Sequence, residues 1–247
     1  MSVATFRFYG SLNDFLAPRR RQVSFQCRFG GRVSIKDAIE ALGVPHPEID
    51  LVTAGAIPVD FSYRLQPDDR IAVYPAFRAL DVRAASLVRP PDLDELRFVL
   101  DGHLGRLTAY LRLAGLDCLC STRWDDAELA AISNRERRVV LTRDTVLLKR
   151  TIVKYGCWVR ATDPRRQLAE VFLRFDLGTR ARPFSRCLRC NALLETVAKA
   201  AIVDRLPPRT REHYEEFHRC PDCQRIYWAG SHVRAMRDLL GTVHSRQ

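Results

Sequence analysis

Long hydrophobic runs are absent from this sequence of 247 residues. No apolar stretch approaches the roughly 18 residues that a membrane-spanning helix requires. The first residues, Met1–Arg7, also lack the charged leader and apolar segment of a secretory signal peptide. We therefore expect a cytoplasmic protein with no membrane partner.

Lysine is scarce too, occurring only at positions 36, 149, 154 and 199, so arginine carries almost all of the net charge of +11. Arginine suits bidentate contacts with phosphate, although an arginine-rich composition can also reflect genomic base bias. Residues 1–80 contribute +2 and residues 81–247 contribute +9. This asymmetry favours a polyanion as the partner of the second part of the chain.

Residues 1–78 have the pattern of a β-grasp domain. Alternating strands at Val3–Phe8 and Val23–Phe29 precede a helix that Ser34 is suited to cap, and further short strands follow. The passage Ile57–Phe61 followed by Leu65–Pro75 resembles the ubiquitin-like sulfur-carrier proteins, which end in a Gly-Gly tail. Here the chain continues past Pro75 without that tail. We therefore expect a docking or structural module, with a possible protein partner, in preference to a domain that transfers sulfur.

Residues 79–95 are predicted to be a linker, because they lack a clear period and contain Pro90-Pro91. Strands and helices alternate after it. The predicted strands and helices are Phe98–Asp101, His103–Gly115, Asp117–Cys120, Asp125–Arg135, Arg138–Thr142, Thr145–Tyr155, Cys157–Ala161 and a helix that begins at Asp163-Pro164. Repeated βα alternation predicts an α/β domain with a mostly parallel sheet over residues 96–178.

Carboxylates follow the strands of this predicted sheet. Asp101, Asp144 and Asp163 each come after a strand, and Asp126 lies at the start of a helix. Grouped carboxylates repel each other unless a divalent cation compensates, and Mg²⁺ or Mn²⁺ prefers such oxygen ligands. The alternative is that each aspartate caps a helix or forms a turn. For Asp163, which precedes Pro164, the cap is the preferred interpretation.

Four of the eight cysteines form two tight pairs, Cys187-x-x-Cys190 and Cys220-x-x-Cys223, with 29 residues between them. Two such pairs can complete a tetrahedral site of four thiolates, which suits structural zinc. Reduced thiols and an iron–sulfur cluster are the alternatives. Residues 179–247 are thus predicted to be a zinc ribbon that needs its metal to fold.

The segment Tyr227–His232 adds aromatic side chains beside arginines, a combination that suits unpaired bases. The preferred alternative is that Tyr227 and Trp228 pack onto the ribbon. His232 is a weaker hypothesis for a phosphate or metal contact.

The order of these motifs resembles one known family. The segments that carry the resemblance are Leu104–Asp117, Asp126–Leu129, Leu141–Asp144, Gln167-Leu168, Arg186–Asn191 and Tyr227–His232. They are similar to the family named after the C-terminal domain of the Mut-seven exonuclease, which joins a PIN-type ribonuclease domain to a zinc ribbon, often behind a ubiquitin-like domain. One departure is that the helix His103–Gly115 carries no acid, where the wider PIN superfamily usually has one.

The resemblance implies a metal-dependent ribonuclease whose substrate is RNA, with tRNA or another structured RNA as examples. Asp101, Asp126 and Asp144 would hold Mg²⁺ or Mn²⁺, with Asp163 as a weaker ligand. Arg106, Arg112 and Arg143 are the predicted contacts for substrate phosphate. The alternative is a non-catalytic adaptor that binds RNA or the ribosome through its zinc ribbon.

Overall fold

The computed structural model describes residues 1–77 and 81–230. They form two compact units, of which the first comprises Met1–Asp94 with Asp126–Trp158 and the second comprises Glu95–Asp125 with the residues from Val159 onward. The predicted domain boundaries at residues 78, 95 and 178 stay a prediction.

The strands and α-helices follow one another in this order: β1 Ser2–Phe8, β2 Phe25–Phe29, α1 Ile35–Ala41, β3 Ile49–Ala54, β4 Ile57–Pro58, β5 Arg70–Pro75, β6 Phe98–Asp101, α2 Gly105–Leu113, β7 Cys118–Ser121, α3 Asp126–Glu136, β8 Val139–Thr142, α4 Thr145–Leu148, β9 Gly156–Trp158, α5 Pro164–Phe175, β10 Glu195–Val197, α6 Pro208–His213, β11 Phe217–Arg219 and β12 Ile226–Trp228. Short 3₁₀ helices lie at Gly10–Phe15, Pro18–Arg20, His46–Glu48, Gly102–Leu104, Gly178–Arg180, Lys199–Ala201 and Val203–Arg205.

The N-terminal part of the first unit is a mixed sheet of five strands in the order β2-β1-β5-β3-β4. Strand β1 pairs antiparallel with β2 and parallel with β5. Alternate residues of β1, such as Phe6 and Phe8, are buried in a core that also contains Ile35 and Ile39 of α1. The Ser34 hydroxyl accepts a hydrogen bond from the Asp37 backbone N–H at 3.1 Å, which fixes the start of α1. The predicted ubiquitin-like fold is confirmed.

The same unit contains the parallel strands β8 and β9 with helices α3 and α4. The predicted helix Thr145–Tyr155 is wrong beyond Leu148, because α4 ends there. Thr151, Ile152 and Val153 form a β-branched run that is unfavourable in a helix. The Val153 carbonyl also accepts a hydrogen bond from His46 Nε2 at 2.8 Å, so a contact with the N-terminal domain replaces a helical one.

The second unit pairs β6 and β7 in parallel, with Phe98 opposite Cys118. Leu107 and Leu111 of α2 are fully buried. Gly115 makes the turn from α2 to β7 with φ of +88°, and a Cβ there would lie 2.1 Å from the Arg182 carbonyl oxygen. Only glycine fits this close approach of two chain segments.

The C-terminal ribbon of this unit, residues 186–230, carries the antiparallel strands β10, β11 and β12. The apolar core cluster of these described residues is small, with Ile202, Leu206 and Phe217 as its buried side chains. The predicted architecture of a mixed N-terminal sheet, a parallel α/β sheet and a small C-terminal sheet is therefore confirmed. Among the described residues, none of the helices combines the length and hydrophobicity needed to cross a bilayer.

Candidate functional site

The structure brings together the four cysteines of the ribbon. The Sγ atoms of Cys187, Cys190, Cys220 and Cys223 all lie within 4.8 Å of one another. The Cys187–Cys223 and Cys190–Cys220 sulfur pairs are 3.5 and 3.3 Å apart. In a tetrahedral zinc site with Zn–S bonds of about 2.3 Å, neighbouring sulfurs are about 3.8 Å apart. The four-cysteine cluster is therefore consistent with zinc.

The two Cys-x-x-Cys pairs share one backbone geometry. The N–H of Asn191 donates to the Cys187 carbonyl, and the N–H of Gln224 donates to the Cys220 carbonyl, each at 3.0 Å. Asn191 and Gln224 both adopt the left-handed conformation, with φ of +73° and +58°. Each pair is thus a tight knuckle that turns two sulfurs to the same side, as zinc knuckles require.

The thiols of the cluster differ in acidity. Burial pushes the pKa of Cys187 up, but hydrogen bonds from the Cys190 backbone N–H, the Tyr227 hydroxyl and the Arg189 N–H outweigh it and lower the pKa to about 6. Burial raises the pKa of Cys190 to about 12 and also raises that of Cys223. Hydrogen bonding therefore favours the thiolate of Cys187, whereas burial opposes negative charge on Cys190 and Cys223.

Tyr227 contacts the cluster directly, since its hydroxyl lies 3.1 Å from the Cys187 sulfur. Burial, followed by this hydrogen bond, raises the pKa of Tyr227. The neighbouring Trp228 packs against the ribbon core, with its ring 6.5 Å from that of Tyr214. The preferred interpretation, that both aromatic residues pack onto the ribbon, is confirmed. His232, the other predicted contact in this segment, lies outside the described residues.

The first knuckle is fastened to β7 by side chains. The Asn191 side-chain oxygen accepts from the Cys118 N–H at 3.0 Å, and its amide donates to Asp117 at 2.9 Å. Asp117 also lies 3.5 Å from a guanidinium nitrogen of Arg186. The sequence analysis did not predict that these three side chains fasten the knuckle. The sequence signal for Asn191 was its position directly after Cys190.

Arg112 was predicted to contact substrate phosphate, and the structure gives it other partners. It is only 7% exposed, and its Nε donates to the Cys118 carbonyl at 2.9 Å. Its Nη1 donates to the Leu188 and Arg189 carbonyls at 3.0 and 2.8 Å. This guanidinium therefore holds α2, β7 and the first knuckle together, and we assign it a positioning role.

The carboxylates predicted to hold a metal lie at the starts of helices. Asp101 ends β6, and its Oδ1 accepts from the His103 N–H at 3.2 Å. Asp144 follows β8, and its Oδ1 accepts from the Val146 N–H at 2.7 Å. Both therefore make the capping bonds that the alternative interpretation expected. A cap occupies one carboxylate oxygen and does not by itself exclude a metal, so the metal role of both residues stays a prediction.

Asp163 is exposed, and its Oδ1 accepts from the N–H groups of Arg165 and Arg166 at 3.1 and 3.0 Å. It is thus the N-cap of α5, which was its preferred interpretation. Asp126 is the first residue of α3 and is half-buried. Its place in the first helical turn is favourable for a negative charge.

The two remaining arginines predicted to contact phosphate are exposed. Arg106 lies in α2, and Arg143 directly follows β8. The Arg143 carbonyl accepts a hydrogen bond from the Trp158 indole N–H at 3.2 Å. As substrate contacts, both arginines stay predictions.

These features define a class of protein: a ubiquitin-like domain and a parallel α/β sheet are joined on one chain to a ribbon with four cysteines. Two family models match it, one described as Mut7-C RNAse domain over residues 96–240 and the other as Mut7-C ubiquitin over residues 1–81. The chain belongs to the Mut7-C RNAse domain family. No curated protein and no solved structure matches it significantly. The predicted family is confirmed, and membership implies a ribonuclease with RNA as its substrate.

Proposed function

We propose that the protein is a metal-dependent ribonuclease that hydrolyses RNA phosphodiester bonds. The observation that carries the proposal is the match to the RNAse domain over residues 96–240. The excess positive charge of residues 81–247 supports it, because a polyanionic substrate is attracted by such a charge.

Asp101, Asp126 and Asp144 are the residues that we propose to hold Mg²⁺ or Mn²⁺. Their carboxylate oxygens are the hard donors that these cations prefer. When bound, the cation would supply Lewis-acid stabilisation of the phosphate charge and a water of lowered pKa. The chain contributes the orientation of the ligands, since the capping bonds of Asp101 and Asp144 restrict how each carboxylate can turn. We leave Asp163 out of the site because it is exposed and caps α5.

Arg106 and Arg143 are the proposed contacts for substrate phosphate. Both are exposed, and a guanidinium can bind a phosphate through two parallel hydrogen bonds. We further propose that Cys187, Cys190, Cys220 and Cys223 bind a structural zinc ion, which the spacing of their sulfurs and the two knuckles support.

The test is the Asp144→Asn variant. Asparagine keeps a side-chain oxygen that can accept from the Val146 N–H, so we expect the cap of α4 to survive. The metal affinity should fall with the lost charge. We expect Mn²⁺-dependent cleavage of total RNA to decrease roughly 100-fold or more, since several kcal/mol of transition-state stabilisation is removed.

Asp60→Asn is the matched control. The Asp60 side chain also accepts a hydrogen bond from the backbone two residues further on, the Ser62 N–H at 2.8 Å, but it lies in the N-terminal domain. This variant should cleave RNA as the wild type does. Undiminished cleavage by Asp144→Asn, with wild-type folding and zinc content, would contradict the proposed site.

A second candidate function is a non-catalytic adaptor that binds RNA or the ribosome through the ribbon. The capping bonds of Asp101, Asp144 and Asp163 favour it, because they give each aspartate a structural role without a metal. An adaptor would bind RNA equally well with and without Mn²⁺ and would leave the RNA intact. Cleavage that appears when Mn²⁺ is added and disappears in Asp144→Asn distinguishes the ribonuclease from the adaptor.

A further inference from the structure

The N-terminal sheet has an outward face that its core does not use. Along β1, Phe6 and Phe8 are buried, whereas Thr5 and Arg7 are half-exposed. Successive side chains of a strand point to opposite faces of the sheet. Helix α1 contributes Ile35 to the buried side, so the face with Thr5 and Arg7 is the one turned away from the core.

On β1, β2 and β5, the charged side chains of this outward face are all arginines. Arg28 of β2 stands opposite Val3, and Arg70 of β5 stands opposite Thr5. Together with Arg7, these residues place one arginine on each of three adjacent strands. The alternating outward positions of β1, β2 and β5 include no aspartate or glutamate. The charge of the face is therefore complementary to a polyanion.

Aromatic rings lie at one end of the face. The rings of Tyr9 and Tyr74 are stacked, with centroids 4.5 Å apart and planes 8° apart. The Arg7 guanidinium lies 5.5 Å from the centre of the Tyr9 ring, and its Nη1 donates to the Gln22 carbonyl, which holds it there. Tyr9 remains 38% exposed. Tyrosines are amphipathic, so this pair offers an unpaired base an apolar surface with polar edges.

A groove of about 810 Å³ runs along this face. Arg7, Tyr9, Arg70 and Tyr74 line it, together with the hydroxyl-bearing Thr5, Ser24 and Thr53. Positively charged grooves with aromatic walls are typical of proteins that bind single-stranded nucleic acid, because arginine contacts the phosphates and the rings stack with bases. Hydroxyl groups add hydrogen-bonding partners for ribose and base edges.

We propose that this arginine–tyrosine face, defined by Arg7, Tyr9, Arg28, Arg70 and Tyr74, is a second RNA-binding site that takes single-stranded RNA. Its charge would also attract an acidic protein. The stacked tyrosines favour RNA, since stacking requires the flat bases that an acidic peptide lacks. The N-terminal domain would then bind RNA instead of acting as a docking module for another protein.

The experiment measures the affinity of the full chain for a fluorescent single-stranded 12-nucleotide RNA by anisotropy, without added Mg²⁺ or Mn²⁺ and with the RNA checked for integrity. We expect Tyr9→Ala to weaken binding about tenfold through the loss of stacking. Arg70→Gln should reduce the slope of log affinity against log salt by about 0.7, the value for one phosphate contact with a single strand.

Arg64→Gln is the matched control, because it removes the same charge from an exposed position in the same domain. Arg64 is bridged to Ser34 at the start of α1, away from the outward face, so its variant should bind RNA as the wild type does. Wild-type affinity and salt slope in both Tyr9→Ala and Arg70→Gln would overturn the proposal. So would polyglutamate that competes as well as unlabelled RNA of equal length, because that result indicates an acidic protein partner.

Binding is measured without catalysis, so the outcome is independent of the ribonuclease proposal. A chain that binds RNA through this face and cuts nothing contradicts the ribonuclease alone. A chain that cuts RNA but binds it equally well after Tyr9→Ala and Arg70→Gln contradicts the binding face alone.

Discussion

Single hydrogen bonds to a sulfur influence how tightly a thiolate site holds its metal. The Tyr227 hydroxyl can donate to Cys187, one of the four proposed zinc ligands. Groups that donate to metal ligands fix the orientation of those ligands and adjust their charge. Tyr227 is therefore a positioning residue for the metal centre, although it lies outside both Cys-x-x-Cys pairs.

Tyr227→Phe removes this hydroxyl and keeps the ring. We expect the affinity of the chain for zinc to fall about tenfold, the lower end of the range for outer-shell partners. Competition with a chromophoric chelator measures it. Tyr214→Phe is the control, since it deletes a hydroxyl from another half-buried tyrosine of the ribbon, whose ring lies against Trp228. Equal zinc affinities of the two variants would show that the hydroxyl does not support the thiolate.

The N-terminal domain and the segment that carries Asp144 are held together inside one compact unit. Glu48 is 2% exposed, and its carboxylate accepts from the backbone N–H of Trp158, the last residue of β9, at 2.6 Å. Lys149 donates to the Glu40 carbonyl at 2.8 Å. The domain therefore stabilises β9 and the end of α4 through hydrogen bonds as well as through packing.

Glu48→Ala should break the contact with β9. Leaving the half-buried Trp158 N–H without this acceptor costs about 2 kcal/mol in the free energy of unfolding, and urea denaturation measures it. Hydrogen exchange of the Trp158 amide should accelerate as well. Glu48→Gln retains a side-chain oxygen as acceptor, so its loss should be smaller. If the glutamine and alanine variants lose the same stability, the hydrogen bond is not what the glutamate contributes.

Helix starts could be predicted from the sequence where the capping side chain acts on its own helix. Ser34 as the cap of α1 and Asp163 as the cap of α5 follow from side-chain chemistry that acts within one turn. The predicted continuation of α4 through Lys149–Tyr155 was wrong because this segment forms hydrogen bonds with residues more than 100 positions away, in the N-terminal domain. The buried position of Arg112 could not be predicted either, since an arginine on a helix has no local sign that carbonyls of the first knuckle will accept its hydrogen bonds.

For the candidate site, the cysteines were predictable and the carboxylates were less so. The spacing of two Cys-x-x-Cys pairs is itself typical of a structural zinc site, and the structure brings all four sulfurs together. An aspartate after a strand has the same sequence whether it caps a helix or binds a metal. The capping bonds at Asp101 and Asp144 show that the first role is present, and the second requires the measurement of cleavage.

The apolar cores that stabilise the two ends of the chain differ in size. The N-terminal domain has an extensive apolar core, whereas the core cluster in the described part of the ribbon is small and centres on Ile202, Leu206 and Phe217. Small domains with so little core generally depend on a metal, and structural zinc contributes about 10–16 kcal/mol in zinc-finger peptides at neutral pH. Loss of the metal should therefore affect one end of the chain and spare the other.

Cys220→Ser removes one proposed zinc ligand and tests this division. We expect the ribbon to lose its zinc and its ordered structure, because three ligands and a small core do not hold it. Trypsin should then cut rapidly at the exposed ribbon arginines Arg189, Arg209 and Arg225, while sites of the N-terminal domain such as Arg64 keep their wild-type rate. Cys27→Ser, a change outside the cluster, should leave both rates unchanged. Equal acceleration at both ends of Cys220→Ser would mean that the two ends unfold together, and wild-type rates at both ends would mean that the ribbon folds without its metal.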